Sequence, residues 1–142
     1  VLDKKGNLTA GTSTGGMFKK RWGRIGDSPV IGAGTYADNN SCAVSCTGHG
    51  EYFIRHAVAF DVCARYKYLK ESVEKAADYI IHTELNTNAG NGGLIAVDKL
   101  GNIAMPYNSG GMFRGFLYKE KGSPEIKKGC GIGKKIVVVG EK

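Results

Sequence analysis

The sequence lacks the features that would place it in a membrane or direct it out of a cell. It has no run of about 18 apolar residues, so we expect no transmembrane helix and no membrane partner. It has no signal peptide with a basic start and an apolar centre. Lys and Arg, 20 in total, occur as scattered single residues and doublets and not as a basic block. The formal net charge of +7 therefore favours a solvated surface over a nucleic-acid-binding face.

Cysteine and histidine patterns that mark metal centres are also absent. The chain has four cysteines and no CxxC motif: Cys42, Cys46, Cys63 and Cys130. Its three histidines have no metal-ligand spacing to one another or to the cysteines: His49, His56 and His82. In a strand, Cys42 and Cys46 would lie on one face about 13 Å apart, which is too far for a disulfide. We expect no metal ion, buried free thiols, and a reducing, cytoplasmic compartment.

Glycine, in contrast, is abundant. The 22 glycines are about twice the usual share of ~7%, so many positions need tight turns or close backbone approach. Hydrophobic residues at 42% and charged residues at 23% are typical of a globular chain. Because 142 residues is the size of one ordinary domain, we expect a single domain over residues 1–142.

Two stretches of the chain repeat each other without a gap. Residues 2–19, LDKKGNLTAGTSTGGMFK, match residues 97–114, VDKLGNIAMPYNSGGMFR, at eight positions in register. Each D-K-x-G-N predicts a hairpin turn in which Gly-Asn supplies positive φ, followed by a returning strand. The later copy follows the strand-like GGLIAV, whereas the first copy keeps only Val1 and Leu2 of that strand. Because strands usually run about five or six residues, we expect the natural chain to continue upstream of Val1.

Helical patterns lie between the two hairpins. Residues 51–66 are apolar around most of the helix circumference and predict one buried helix. Residues 72–85 have apolar residues at helical spacing, with Ser72 as the N-cap. Residues 42–48 predict a buried strand, and residues 137–139 resemble a strand whose place in the fold the sequence does not give. Helices grouped between antiparallel hairpins predict an α+β fold of layered sheet and helices.

Two glycine-containing turns present hydroxyl groups. In STGG, Thr14 lies beside backbone that a ligand can approach, although a plain strand end is favoured on these residues alone. In TGHGE, Thr47 and the Gly48 amide would form an oxyanion hole where a strand passes into a helix. His49 is interpreted as a turn or surface residue. A nucleotide site is disfavoured because neither G-x-x-x-x-G-K-[ST] nor a full G-x-G-x-x-G is present.

The segment RWGRIGDSPVIGAGTYADN combines Arg24 and Asp27 in a glycine-rich loop. A turn requires Gly, Asp, Ser or Pro but not arginine, so the opposite charges suggest a zwitterionic ligand. Trp22 is interpreted as the hydrophobic anchor of the loop, ahead of a residue that stacks on a nucleic-acid base. Four further apolar residues are expected to pack in the core or in an interface: Met17, Phe18, Met112 and Phe113.

The chain resembles the β-subunit of the N-terminal-nucleophile (Ntn) hydrolases of the plant-type asparaginase and isoaspartyl peptidase group. The resemblance covers almost all of the chain as far as Gly115 and rests on four segments in this order: LDKKGNLTAGTSTGGM, GRIGDSPVIGAGTYADN, SCTGHGEYFIRHA and GGLIAVDKLGNIAMPYNSGGMFRG. It implies the β-subunit half of an αββα sandwich. The related glycosylasparaginases share the GDSP loop, but TGHGE and NSGGMFRG are closer to the isoaspartyl peptidase type.

The resemblance also implies roles for particular residues. It assigns substrate binding to four of them: Arg24, Asp27, Thr47 and Gly50. Arg24 would bind the α-carboxylate of an L-aspartyl group, and Asp27 its α-ammonium, with a backbone contact from Gly50. Thr47 and Gly48 would stabilise the oxyanion, and Thr14 would be the second threonine beside the nucleophile.

The implied reaction is hydrolysis of the side-chain amide of L-asparagine or of a β-aspartyl dipeptide. A threonine hydroxyl attacks the β-carbonyl, its own α-amine is the base, and water resolves the acyl-enzyme. In the family pattern this threonine opens the β-subunit at T-V-G-x-V after autocatalytic cleavage, and here that motif would end immediately before Val1. We therefore expect the 142 residues alone to lack the nucleophile and to be inactive.

The resemblance implies a partner as well. An α-subunit of the same precursor would supply the other half of the sheet and a sodium-binding loop, in an (αβ)2 heterotetramer, and no other cofactor is expected. The tail at residues 127–142 departs from the family endings. Three alternatives stay open: a non-catalytic remnant that binds an aspartyl ligand or a subunit, a glycosylasparaginase-like hydrolase, and a basic nucleic-acid-binding module with steep salt dependence.

Overall fold

The computed structural model describes residues 1–119, 125–132 and 135–140, and for 135–140 it describes the backbone alone. The chain divides into two compact units, Val1–Asn108 and Ser109–Lys142. The single domain over residues 1–142 stays a prediction. So does the assignment of the tail, in which residues 133, 134, 141 and 142 lie outside the described residues.

The first unit contains a four-stranded antiparallel sheet in the order β1-β2-β3-β4. Its strands are β1 Thr35–Ala37, β2 Cys42–Gly48, β3 Gly92–Asp98 and β4 Ile103–Ala104. The strand prediction over residues 42–48 is confirmed by β2, whose apolar residues are mostly buried. With the helices below, the unit confirms the predicted α+β class.

The helices of the first unit begin directly after β2. They are α1 Gly50–Arg55, α2 Val58–Ala64 and α3 Val73–Tyr79, with π-helical extensions at Arg65–Leu69 and Ile80–Leu85. The single helix predicted over residues 51–66 is wrong, because Ala57 has a left-handed backbone with φ 45° and separates α1 from α2. The first N–H groups of α2, from Ala59 and Phe60, donate instead to the carbonyls of Ala33 (3.1 Å) and Gly32 (2.8 Å). The start of α2 therefore holds the loop that precedes β1.

One face of the sheet is covered by helices, with α2 on β2 and with α3 on β3 and β4. The core includes these fully buried side chains: Val44, Phe53, Val58, Val62, Val73, Ile80, Ile81, Leu85 and Leu94. The expectation of a wholly buried 51–66 segment is wrong at Ile54 and Phe60, which are 39% and 45% exposed. Phe60 packs edge-to-face on Tyr36 of β1 instead, with ring centroids 5.4 Å apart.

Ser72 caps α3 as predicted, since its side-chain oxygen accepts a hydrogen bond from the Lys75 N–H at 3.2 Å. Replacing Ser72 by alanine is expected to lower the free energy of unfolding by about 1 kcal/mol, because an N–H of the first turn loses its acceptor. Urea denaturation of the gene product that contains these residues measures the loss. Ser72→Asp, which keeps an acceptor, is expected to retain most of the wild-type value. Equal losses in both variants would rule out the cap as the cause.

The two D-K-x-G-N repeats fold into the same hydrogen-bonded turn. The Asp3 carboxylate accepts hydrogen bonds from the backbone N–H of Asn7 and from its side-chain amide, both at 2.8 Å. Asp98 accepts the corresponding bonds from Asn102, at 2.9 Å and 2.8 Å. The repeat in the sequence is therefore a repeat in structure, and in both copies the asparagine holds the aspartate that opens the turn.

The backbone of these turns differs from the prediction in two respects, the φ angles of the asparagines and the returning strand of the first copy. Gly6 and Gly101 have φ values of 87° and 91°, as predicted. The asparagines that follow them do not have positive φ, and their side chains reach the aspartate from an ordinary backbone conformation. The second copy returns as β4, as predicted. In the first copy Leu2 and Leu8 form an isolated bridge, and the Thr9 N–H donates to the Val1 carbonyl at 2.9 Å. The returning strand predicted for this copy is wrong beyond Leu8.

The second unit contains a three-stranded antiparallel sheet in the order β5-β6-β7. Its strands are β5 Arg114–Lys119, β6 Ile126–Ile132 and β7 Lys135–Gly140. The strand predicted at residues 137–139 is confirmed by β7. Buried free thiols are confirmed for Cys42, Cys46 and Cys63, whereas Cys130, on β6, is free but exposed.

Several large apolar side chains are exposed. Trp22 is 96% exposed, so its interpretation as the anchor of its loop is wrong within this chain. Of the four residues expected in a core or interface, Met112 is buried, whereas Met17, Phe18 and Phe113 are exposed, which excludes a core position for these three. None of the described helices has both the length and the apolar composition needed to span a bilayer.

Candidate active site

Asp27 is a buried carboxylate in the loop before β1. The residue is 5% exposed, and its carbonyl accepts hydrogen bonds from the N–H groups of Val30 (2.9 Å) and Gly34 (3.1 Å), which fold the loop around it. Burial raises the pKa of the Asp27 carboxyl, while nearby backbone N–H groups and the Arg24 guanidinium act to lower it. Among the described residues, the buried Oδ2 atom has no hydrogen-bond partner. A buried carboxylate without a full set of hydrogen bonds lowers the stability of the fold, which marks it as a candidate for ligand binding.

Two glycines allow the backbone to come this close to Asp27. A Cβ atom built on Gly50 would lie 2.8 Å from Asp27 Oδ1 and 2.9 Å from Asp27 N. A Cβ atom built on Gly34 would lie 2.8 Å from Oδ2 and 2.5 Å from the Asp27 carbonyl oxygen. Real side chains do not tolerate such distances to backbone, so both positions require glycine. The first residue of α1 and the aspartate are therefore brought together, as the roles implied for Gly50 and Asp27 require.

Arg24 places a positive charge beside this carboxylate. Its guanidinium is partly exposed and lies 3.8 Å from Glu51 Oε2, measured from Nη2. A Cβ atom built on Gly26 would lie 3.0 Å from Nη1, so glycine at that position leaves room for the guanidinium. Arg24 is thus in ion-pair contact with Glu51 and forms no salt bridge with Asp27, on whose carboxyl it acts only as a nearby charge. Separate positive and negative groups of this kind suit a ligand that carries both charges.

Thr47 and Gly48 form the exposed end of β2, immediately before α1. Gly48 has a φ of 148°, a conformation that favours glycine. A Cβ atom built on Gly48 would collide with the Asn91 carbonyl oxygen and lie 2.7 Å from Gly92 Cα. The following residue, His49, donates its N–H to the Asn91 carbonyl at 2.8 Å and is the N-cap of α1, as its interpretation as a turn residue predicts. The Thr47–Gly48 pair therefore has a fixed backbone and open access on one side.

Thr14 lies on an exposed segment. Within the described part of the chain its hydroxyl accepts a hydrogen bond from the Gly16 N–H (3.0 Å) and makes no hydrogen bond to the other candidate residues. The segment is fixed nearby by Thr12, whose hydroxyl donates to the Gly34 carbonyl (3.0 Å) and hydrogen-bonds with Ser45 (2.6 Å). The structure thus ties this segment to the loop around Asp27, and the role implied for Thr14 stays a prediction.

Comparison with known proteins assigns the chain to a family. The family model described as asparaginase matches residues 1–126. This chain belongs to the asparaginase family. The antiparallel sheets and the helices described above are consistent with the Ntn-hydrolase fold of the family.

Curated members of the asparaginase family are similar to the chain over most of its length. An isoaspartyl peptidase of Salmonella typhimurium is 53% identical over 116 residues, which cover 82% of this chain and 37% of the relative. An isoaspartyl peptidase of Escherichia coli is 48% identical over 132 residues, covering 86% of this chain and 41% of the relative. An isoaspartyl peptidase/L-asparaginase of Mus musculus is 46% identical over 79% of this chain and 34% of the relative. The chain thus spans roughly two fifths or less of the relatives it matches.

Sequence reasoning did not single out every residue that supports the candidate site. Glu51 lies in the quoted TGHGE segment, and its charge complements that of Arg24, so this signal was present in the sequence. Thr12 and Asn108 also lie in segments that carry the resemblance, but their contacts could not be predicted, because their partners are distant in sequence: Gly34 and Ser45 for Thr12, and Ile81 to Gly92 for Asn108. Among the described residues, no group of three or more His, Cys, Asp and Glu side chains could hold a metal ion.

Proposed function

We propose that the gene product containing these 142 residues hydrolyses the side-chain amide of L-asparagine or the β-linkage of β-aspartyl dipeptides. The observation that carries the proposal is the buried Asp27 carboxylate, whose Oδ1 faces Gly50 at the start of α1 and on which the Arg24 guanidinium acts as the nearby positive charge. Relatives named isoaspartyl peptidase, and isoaspartyl peptidase/L-asparaginase, support the reaction class.

Substrate binding follows from the charges. The α-ammonium of an L-aspartyl group would occupy the Gly50 side of Asp27 and be held by Oδ1. The guanidinium of Arg24 would donate two parallel hydrogen bonds to the α-carboxylate, for which its planar fork is suited. These two contacts fix the Cα atom of the substrate, so its side chain points in one direction only. Thr47 would contact the substrate there.

The chemistry requires a nucleophile that the family pattern places before Val1. The hydroxyl oxygen of this threonine forms a bond to the β-carbonyl carbon, and its own α-amine takes the hydroxyl proton. The Thr47 hydroxyl and the Gly48 N–H donate to the oxyanion as it forms. The C–N bond breaks, the leaving amine takes the proton, and water then hydrolyses the ester to release L-aspartate. Thr14 would lie beside the nucleophile.

The same pattern implies the assembly. An α-subunit from the same precursor would pair with the present chain in an (αβ)2 heterotetramer and would carry the sodium-binding loop, on which no step above depends. The partial coverage of the relatives supports a precursor of more than one part. Residues 1–142 alone would be inactive, and a cytoplasmic location would keep the buried thiols reduced.

The test determines which polypeptides the gene product contains and whether it hydrolyses the two substrates. The purified gene product is characterised by intact mass and N-terminal sequencing, then incubated with L-asparagine and with a β-aspartyl dipeptide while L-aspartate is measured. We expect a species that begins with the predicted threonine, a second chain, and release of L-aspartate. Absence of that threonine together with absence of hydrolysis would favour the non-catalytic remnant. Salt-sensitive binding to an oligonucleotide, which we do not expect, would favour the nucleic-acid-binding module.

A further inference from the structure

Asn108, which follows β4 in the chain, makes an unusually complete set of hydrogen bonds. Its side-chain oxygen accepts from the Gly92 N–H at 2.8 Å. Its side-chain nitrogen donates to the Gly90 carbonyl and to Asn86 Oδ1, both at 2.8 Å, and lies 3.3 Å from the Ile81 carbonyl. One amide therefore connects the end of the helical segment after α3 to the turn that leads into β3.

The backbone of Asn108 holds the same turn. Its N–H donates to the Gly92 carbonyl at 2.9 Å, so Asn108 satisfies both polar backbone groups of Gly92. Gly92 has a φ of 159°, a conformation that favours glycine. A glycine can adopt many conformations, so its position here depends on the bonds that restrain it.

The turn held by Asn108 supports the Thr47–Gly48 pair directly. Gly92 is the register partner of Gly48 in the β2–β3 ladder. A Cβ atom built on Gly92 would collide with the Thr47 carbonyl oxygen and lie 2.8 Å from Gly48 Cα. The Asn91 carbonyl also accepts the His49 N–H. There is no space between the two segments, so a shift of Gly92 moves Thr47 and Gly48 with it.

We propose that Asn108 is a positioning residue for the oxyanion-stabilising pair Thr47 and Gly48. The inference rests on the proposed function, and it adds a residue that acts on catalysis through Gly92 without touching the substrate. Arg24 and Asp27, which would hold the two charges of the substrate, lie on a different segment, so the effect is expected to be much larger on kcat than on KM, although Thr47 would also contact the substrate.

The test compares Asn108→Ala with Asn102→Ala in the gene product that contains these residues. Asn102 is the matched control, because its amide donates to Asp98 at 2.8 Å in the turn at the other end of β3. Asn108→Ala is expected to lower kcat by roughly 10- to 100-fold with KM changed by about twofold or less, since misplacement near the reacting atoms lowers rate and not affinity. Asn102→Ala is expected to leave both values close to wild type. Equal kcat losses in the two variants, or a change confined to KM, would overturn the proposal.

A conservative variant gives a second readout. In Asn108→Asp the ionised carboxylate keeps an acceptor for Gly92 but faces the Gly90 carbonyl, whereas the protonated carboxyl can donate to it. The ratio of its kcat to that of wild type at the same pH is therefore expected to rise as the pH is lowered. A ratio that does not change with pH would contradict the role of the amide donor.

A third readout does not depend on activity. Hydrogen exchange is expected to become about tenfold faster or more at the amides of His49 and Gly92 in Asn108→Ala, and to stay unchanged there in Asn102→Ala. Unchanged exchange in Asn108→Ala would overturn the link to the Thr47–Gly48 pair. If wild type hydrolyses neither substrate while exchange behaves as expected, the proposed function fails and the structural link stands.

Discussion

Replacing Asp27 by asparagine is expected to lower kcat/KM for L-asparagine by about 100-fold or more, equivalent to roughly 3 kcal/mol. The change keeps the shape of the side chain and removes the negative charge that would receive the α-ammonium. An ammonium brought against a neutral amide loses a charge-assisted hydrogen bond in a buried place. Steady-state kinetics with L-asparagine and a β-aspartyl dipeptide measures the loss, which should be similar for both, since both present the same α-ammonium.

The same substitution is expected not to lower the stability of the free protein. Burial raises the pKa of Asp27, so the folded state binds a proton more tightly than the unfolded state. The resulting cost to stability is absent below the ordinary pKa of an aspartate and develops as the pH rises through the folded pKa. The melting temperature of Asp27→Asn relative to wild type should therefore increase with pH from about 4 upward.

Asp61 provides the control for Asp27. It is a half-buried aspartate of α2 whose pKa is also raised by burial, with Arg65 acting in the opposite direction, and it lies outside the candidate site. Asp61→Asn is expected to change stability in the same sense and to leave kcat/KM close to wild type. If the two variants lose activity equally, or if Asp27→Asn retains full activity, Asp27 does not bind the substrate.

Replacing Gly48 by alanine is the second large effect that we expect. The added Cβ atom would collide with the Asn91 carbonyl, lie 2.8 Å from the ring of Phe53, and force a φ of 148° on a residue with a side chain. Relief requires movement of backbone, so the free energy of unfolding should fall by roughly 3 kcal/mol or more. The Gly48 N–H would be displaced at the same time, and kcat in the folded fraction should fall by about 100-fold.

Gly11→Ala is the matched control for this substitution. Gly11 lies in the segment that precedes Thr14, has no positive φ, and a Cβ atom built on it would meet no atom within 4 Å. Alanine there is expected to change stability by about 1 kcal/mol or less and to leave kcat unchanged. Denaturation and kinetics of both variants measure the difference. A Gly48→Ala protein with wild-type stability and rate would show that the close approach of β2 to the Asn91–Gly92 turn is not required.

Local patterns in the sequence were sufficient for some elements. β2 could be predicted because its buried apolar residues are consecutive in the sequence. The cap at Ser72 could be predicted because its hydrogen bond joins residues only three positions apart. The repeated turn could be found because each aspartate bonds to an asparagine four positions later. The significance of Arg24 and Asp27 came from their unusual pairing in a loop together with the family resemblance.

Elements that depend on distant contacts could not be predicted. The break at Ala57 follows from bonds that α2 makes to Gly32 and Ala33, which helix periodicity does not contain. The burial of Asp27 depends on close approach by Gly50, which lies on another element. The spacing of charges in the sequence therefore pointed to Asp27 but could not predict that its carboxylate is buried. Hydrophobicity alone placed Trp22 against its own loop, and the structure leaves it exposed.

The most direct test of the central claim compares three substrates with the gene product: L-asparagine, L-asparagine blocked by acetylation of its α-amine, and L-asparagine blocked as the α-carboxamide. All three keep the same side-chain amide, and each blocked compound lacks one of the two charges that Asp27 and Arg24 would bind. We expect kcat/KM to be at least about 100-fold lower for each blocked compound than for L-asparagine. Hydrolysis of either blocked compound as fast as L-asparagine would contradict recognition by the Arg24–Asp27 pair.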